Sequence, residues 1–389
     1  MRRRRAASRL RAMPSLDEVV ADVLRFIALA AGDGTGAAGP SPREDRDDDA
    51  AFDALVREVF ELQLRENRAY RAFCERRGVR AEEVRGWRDV PAVPAAAFKE
   101  LDLACAPPER VFLTSGTTRG HERRGRHPVP RLALYRASAI AHFRRMVLPD
   151  GAVPRMVGVL AGPDLLPASS LVQMADWIRT DVCDGEGRYL VDERGFDPAS
   201  AADRIEAAGS DGRPVCVLGL RVLLTTLVEH CRERGRSLSL PADSRIVDTG
   251  GAKGGRALSD AGFLAAAWQT FGVPGYYCVN EYGMTELCSQ FYDDVLVARF
   301  AGSNAKRRKL GPPWTRTRAV DPATLAPLPD GETGILCHVD LANAGSVLAV
   351  QTEDLGVVEG RRFRLLGRAP GAEARGCALA LSEILAAQA

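Results

Sequence analysis

Apolar residues recur at three- and four-residue intervals early in the chain. Val19, Val20, Val23, Leu24 and Ile27 fall on one face of 16–31, which predicts an amphipathic helix. A second stripe, Phe52, Leu55, Val56, Val59, Phe60 and Leu62, predicts another helix over 50–74. The segment 32–49 between them is rich in glycine, proline and charge and reads as a loop or linker. Residues 90–94 read as extended, and 94–101 lead into a short helix. From Val111 the pattern changes. Short runs rich in β-branched residues, at 156–160, 215–219, 245–249, 275–279, 334–339 and 346–352, read as strands. Helical segments at 132–146, 170–177 and 259–271 lie between them, and 378–389 reads as a short final helix. Strand–helix alternation predicts an α/β fold with mainly parallel sheets, because a parallel crossover lays its helix over a sheet face.

Composition and charge narrow the reading. The chain has 389 residues, 46% of them apolar, enough for one large α/β domain or two domains. Fifty-three basic against 51 acidic residues leave a net charge of +2, and basic clusters occur only at 2–5 and 306–309. That argues against a nucleic-acid partner. No apolar run reaches the roughly 18 residues that suggest a membrane span. Residues 1–13 are basic, lack the apolar stretch of a secretory signal, and read as a disordered tail. Nine cysteines stand singly, with no C-x-x-C pair, which fits neither a zinc site nor a disulfide framework and suits a reducing, cytoplasmic setting. The expected organisation is the tail, a helical section over 14–105, and a core over 106–389.

Five strings in the core carry candidate chemistry. The first, Leu113-Thr114-Ser115-Gly116-Thr117-Thr118-Arg119-Gly120, follows an apolar pair. Glycine permits tight turns there, and backbone N–H groups and hydroxyls can surround a polyanion such as the phosphates of ATP. Ser/Thr/Gly turns are also common on surfaces, and the string is not a Walker A loop. The second, 248–255, places Gly250 and Gly251 after a strand, where backbone can approach a planar ligand. The third is Tyr282-Gly283-Met284-Thr285-Glu286. A tyrosine ring can stack on adenine, Thr285 can donate to the α-phosphate, and Glu286 can bind Mg²⁺. The fourth, 351–356, offers Asp354 as an acceptor for ribose hydroxyls, or as an ordinary turn residue before Gly356. The fifth ends at Arg368, within reach of ribose or the α-phosphate.

Taken in order, these strings resemble the adenylate-forming enzymes, which activate carboxylic acids with ATP. The resemblance implies that 250–251 pack against adenine. A closer likeness, to the LuxE-type acyl-protein synthetases, rests on His127 after the first loop and on Leu165-Leu166-Pro167-Ala168-Ser169-Ser170-Leu171. It rests equally on Cys337-His338-Val339-Asp340-Leu341-Ala342-Asn343 and on Arg375-Gly376-Cys377. It implies that a carboxylic acid, of the fatty class, becomes acyl-AMP, and that the acyl group passes to Cys377 and on to an acyl reductase subunit. A thiolate can capture an activated acyl group as a thioester, and Arg375 can favour its ionisation. Cys288 and Cys337, each beside a nucleotide string, are competing carriers. The chain ends 21 residues after Arg368, so the mobile C-terminal domain of the larger relatives, with its lysine, has no counterpart. The positive charge it supplies would then come from another subunit, an induced-fit loop or, within the chain, from Lys253. An acid–CoA ligase of the phenylacetate–CoA ligase type and a non-catalytic member of the fold are the alternatives. The acid's chain length and the oligomeric state are not legible.

Overall fold

The structure is a computed structural model that describes residues 13–32, 44–114, 124–250, 258–304 and 306–369. Helix α1 (Leu16–Ala31) starts where expected, because Ser15 and Glu18 cap each other: Ser15 Oγ accepts from the Glu18 N–H and Glu18 accepts from the Ser15 N–H. Its buried residues are Val19, Val20, Val23 and Ile27. The single helix expected over 50–74 is two, α2 (Glu44–Glu66) and α3 (Arg68–Arg76). The break has a cause at Asn67. Its side-chain oxygen accepts from the Tyr70 N–H, capping α3, and its amide donates to the Ser346 carbonyl. Gln63 on α2 is buried one turn earlier. It donates to the carbonyls of Asn343 and Ala344 and accepts from the Leu348 N–H. Two buried amides thus fasten the N-terminal helices to the segment 343–348.

The core follows. After the short strand β1 (Val93–Pro94) comes a hairpin of β2 (Arg110–Leu113) and β3 (Arg126–Val129). Then α4 (Leu132–Val147), β4 (Arg155–Ala161), α5 (Ser170–Asp181), β5 (Arg188–Asp192), β6 (Gly195–Phe196) and α6 (Pro198–Ala208) alternate. The alternation continues through β7 (Val215–Leu220), α7 (Arg221–Glu233), β8 (Arg245–Thr249), α8 (Asp260–Phe271) and β9 (Cys278–Tyr282). The expected strand at 275–279 starts late. Pro274 has no N–H for a ladder, and Gly275–Tyr277 form a 3-10 turn behind it. Strand β10 (Phe291–Asp293), α9 (Val295–Phe300), β11 (Lys309–Leu310), β12 (Thr315–Val320), β13 (Thr333–Asp340), β14 (Ala349–Glu359) and β15 (Arg362–Arg368) complete the described chain.

The α/β expectation is borne out. The strands β5, β4, β7, β8 and β9 pair in parallel, in that order, with α5 to α8 in the connections between them. The residues of β4, β7 and β8 are buried almost throughout, as strands covered on both faces require. At β9 the sheet changes character. It continues through β10, β11, β15, β14, β13 and β12, each antiparallel to the last. The carboxyl ends of the parallel strands therefore open beside a set of hairpins, the kind of crevice where α/β sheets bind ligands. One continuous apolar cluster runs from Val19 to Phe363. Among the described residues no helix is long and apolar enough to cross a membrane.

Candidate active site

Three of the expected site residues meet where the two halves of the sheet join. Tyr282 ends β9, and its ring packs on Phe291, His338 and Phe363 at centroid distances of 5.9, 5.7 and 5.7 Å. Its hydroxyl donates to Asp354 Oδ2 at 2.8 Å, from a strand 72 residues away in sequence. Asp354 in turn lies opposite Arg368 in the β14–β15 ladder, 3.8 Å from its guanidinium. Arg368 also pairs with Glu353 at 2.8 Å and is largely exposed. Gly367 makes this register possible. It has φ +127°, which side chains rarely adopt, beside a shift in pairing at Leu355/Gly356. Thr352 Oγ accepts from the Asp354 N–H, so the strand turns its carboxylate toward the tyrosine.

The turn after Tyr282 is held from two sides. Asp340, at the end of β13, is fully buried. Its carboxylate accepts from the Cys288 N–H at 3.1 Å, from Ser289 Oγ at 2.8 Å and from the Ala342 N–H at 2.9 Å. Burial pushes this carboxyl up to about 6, against the pull of those donors. Asn343 accepts from the Cys288 N–H and donates to the carbonyls of Glu286 and Val347. On the other side His127, on β3, donates through Nδ1 to the Thr285 carbonyl at 2.7 Å. A carbonyl can only accept, so the ring carries its proton on Nδ1. Thr285 is half-buried and Glu286 buried.

A second acidic group lies one residue before the tyrosine. Glu281 is buried on the opposite face of β9, across from Thr249 on β8, whose hydroxyl donates to it. Burial raises its carboxyl to about 7. A Cβ at Gly283 would meet the end of the Glu281 side chain, which would then have to shift. On the tyrosine's face, Asn280 donates to Asp248, and Asp248 also accepts from Arg221 at 2.6 Å. Lys309 donates to the Asn280 carbonyl and pairs with Asp293 at 2.9 Å. Gly250 closes β8 at φ +78°, the left-handed region that favours glycine.

Not every expected residue can be placed. Ser115, Gly116, Thr117, Thr118, Gly251, Lys253 and Cys377 lie outside the described residues. Thr114 closes the β2–β3 hairpin. Its N–H donates to the Gly125 carbonyl and its hydroxyl accepts from the Gly125 N–H. The competing carriers are both buried, Cys288 at 1% and Cys337 at 2% exposure, and burial raises the Cys288 thiol far above its usual range. Sequence reasoning used His127, Asp340 and Asn343 only as marks of the LuxE likeness, and gave neither them nor Glu281 a chemical role. The available signal was faint: polar residues inside otherwise apolar runs, whose partners lie tens to hundreds of residues away.

Comparison with known proteins identifies the family and the fold. The sequence model of the family described as acyl-protein synthetase, LuxE, matches residues 186–386, just over half the chain. The long-chain-fatty-acid–luciferin-component ligase of Vibrio harveyi is 25% identical over 351 residues, covering 86% of this chain and 88% of its own. Its counterpart from Aliivibrio fischeri is 24% identical over 354 residues, with the same coverage. Among solved structures, 2-hydroxyisobutyryl-CoA ligase in its postadenylation state with 2-HIB-AMP has a TM-score of 0.63 at 16% identity, covering 88% of this chain and 74% of that one. Its open conformation with 2-HIB-AMP and CoA has a TM-score of 0.58 at 16% identity, covering 86% and 80%. Those structural likenesses speak for the fold alone. With the strings in order and Tyr282, Asp354 and Arg368 brought together, the chain belongs to the LuxE family of acyl-protein synthetases, ligases with the adenylate-forming fold.

Proposed function

We propose that this ligase activates a fatty acid with ATP and then carries the acyl group on Cys377 to a partner such as an acyl reductase. In the first step a carboxylate oxygen attacks the α-phosphorus and the bond to pyrophosphate breaks, leaving acyl-AMP. In the second the Cys377 thiolate attacks the acyl carbon and AMP leaves with the electron pair of the C–O bond, giving a thioester. The names of the relatives support the substrate class. The observation that carries the nucleotide reading is the meeting of Tyr282, Asp354 and Arg368 from three strands at one sheet junction. In that reading Tyr282 backs the adenine, Asp354 accepts from the ribose hydroxyls, and Arg368 faces the ribose or α-phosphate. Thr285 donates to the α-phosphate as charge develops on it, with the 114–118 string and the Gly250–Gly251 turn completing the pocket.

Glu286 fits a Mg²⁺ ion, which takes one or two carboxylates together with phosphate oxygens. Bound there, the ion would neutralise phosphate charge. Burial of Cys288 and Cys337 favours Cys377 as the carrier, since an acceptor thiol must reach the adenylate and ionise.

Intact-mass spectra after incubation with ATP, Mg²⁺ and a panel of fatty acids test this reading. Wild type should gain one acyl group, labile to hydroxylamine and mapping to the Cys377 peptide. Cys377→Ser should still support acid-dependent ATP–pyrophosphate exchange but gain no such label. A label on Cys288 or Cys337 would overturn the carrier. Acyl-CoA formed with added CoA and no protein label would replace the reading with an acid–CoA ligase.

A further inference from the structure

His127 has no part in the scheme above, yet its position is unusual. It is buried at 1% exposure, edge-on to Phe98 at 5.5 Å. Its Nδ1 donates to Thr285, while Nε2 is buried with no hydrogen-bond partner among the described residues. A leucine or phenylalanine would fill the same apolar place without leaving a nitrogen unpaired. Among the described residues, what histidine adds is the Nδ1–H donor.

What that donor holds is the peptide in front of Glu286. The Thr285 carbonyl and the Glu286 N–H belong to one rigid plane. The next plane is held through the Glu286 carbonyl, which accepts from Asn343 at 2.9 Å. With both flanking planes pinned, the backbone angles of Glu286 are set, and with them the direction of its Cα–Cβ bond. Asn343 reaches the turn from behind β13, whereas His127 reaches it from the β2–β3 hairpin. We infer that His127 is a positioning residue for Glu286, acting through the single hydrogen bond from Nδ1 to the Thr285 carbonyl. This inference rests on the reading of Glu286 as the ligand for the metal that accompanies ATP.

Three substitutions separate the hydrogen bond from packing. In His127→Asn the amide nitrogen stands where Nδ1 stood; in His127→Gln it stands nearer Nε2; His127→Leu has no donor. Acid-dependent pyrophosphate exchange should fall about 30-fold in the Leu and Gln variants, with KM for the acid unchanged, and stay within about threefold of wild type in the Asn variant. Calorimetric affinity for Mn²⁺·α,β-methylene-ATP should drop roughly tenfold in the Leu and Gln variants, while affinity for the metal-free nucleotide in EDTA stays constant. Thermal unfolding checks the fold, and if the Leu variant does not fold, the Asn–Gln pair decides. Equal behaviour of Asn and Gln, or equal loss of metal-bound and metal-free nucleotide, overturns the positioning role. No exchange in wild type would instead overturn the reading of the site, so the two failures are distinguishable.

Discussion

Asp340 and Asp354 stand on neighbouring antiparallel strands, on the same side of the sheet junction, and do opposite work. Asp340 has no exposure, and its carboxylate accepts three donors, all from within the fold. Nothing is left over for a ligand. Asp354 keeps 19% of its side chain exposed, accepts from one tyrosine hydroxyl, and faces an arginine that is itself exposed. The first arrangement builds the floor of the site and the second leaves its rim open. Neither residue type nor nearness to a motif distinguishes the two. The number of internal partners does, because a buried acceptor must be satisfied from within whereas a half-exposed one can exchange water for a ligand.

The sharpest way to break this contrast is at the floor. Asp340→Ala leaves the Ala342 N–H without its acceptor and strips one acceptor each from the Cys288 N–H and the Ser289 hydroxyl, and should lower stability by about 2–3 kcal/mol, read as a fall in the urea midpoint. Full stability would show that the turn is held by Asn343 alone. Asp354→Ala should do the reverse. Its unfolding midpoint should stay within about 1 kcal/mol of wild type, while acid-dependent pyrophosphate exchange loses about 2–3 kcal/mol of transition-state stabilisation, a charge-assisted contact removed. Exchange at the wild-type rate would remove Asp354 from the site.

A subtler test uses pH. The folded protein holds the Glu281 proton more tightly than the unfolded chain, with a folded value near 7 against 4.5. Its contribution to stability is therefore complete below the unfolded value and is lost as pH rises through about 7. Between pH 5 and 8 wild type should lose on the order of 1–2 kcal/mol relative to Glu281→Gln, whose amide does not titrate. Parallel pH profiles for the two proteins would show that Glu281 stays ionised when folded, and that the face opposite Tyr282 is wetter than the structure implies.

Much of the fold is legible along the chain. The period of α1, the β-branched runs that become β4, β7 and β8, and the helices between them follow from local spacing. The misreadings also have local physical causes. Asn67 ends one helix and caps the next because its amide has a partner at Ser346, and Pro274 delays β9. Short strands such as β10 and β11 escape notice because two or three residues carry no period.

By itself the sequence singled out the candidates for a nucleotide site: Tyr282, Thr285, Glu286, Asp354 and Arg368 stand in strings whose composition and order are readable. Only the tertiary structure decided that Tyr282 and Asp354 share a hydrogen bond, that Asp340 is closed to ligands, and that His127 reaches the Thr285 carbonyl across 158 residues. The division has a physical reason. Turn chemistry and side-chain periodicity act over a few residues and leave their mark in spacing. The partner of a buried polar group is chosen by strand order and register, which depend on the packing of the whole sheet.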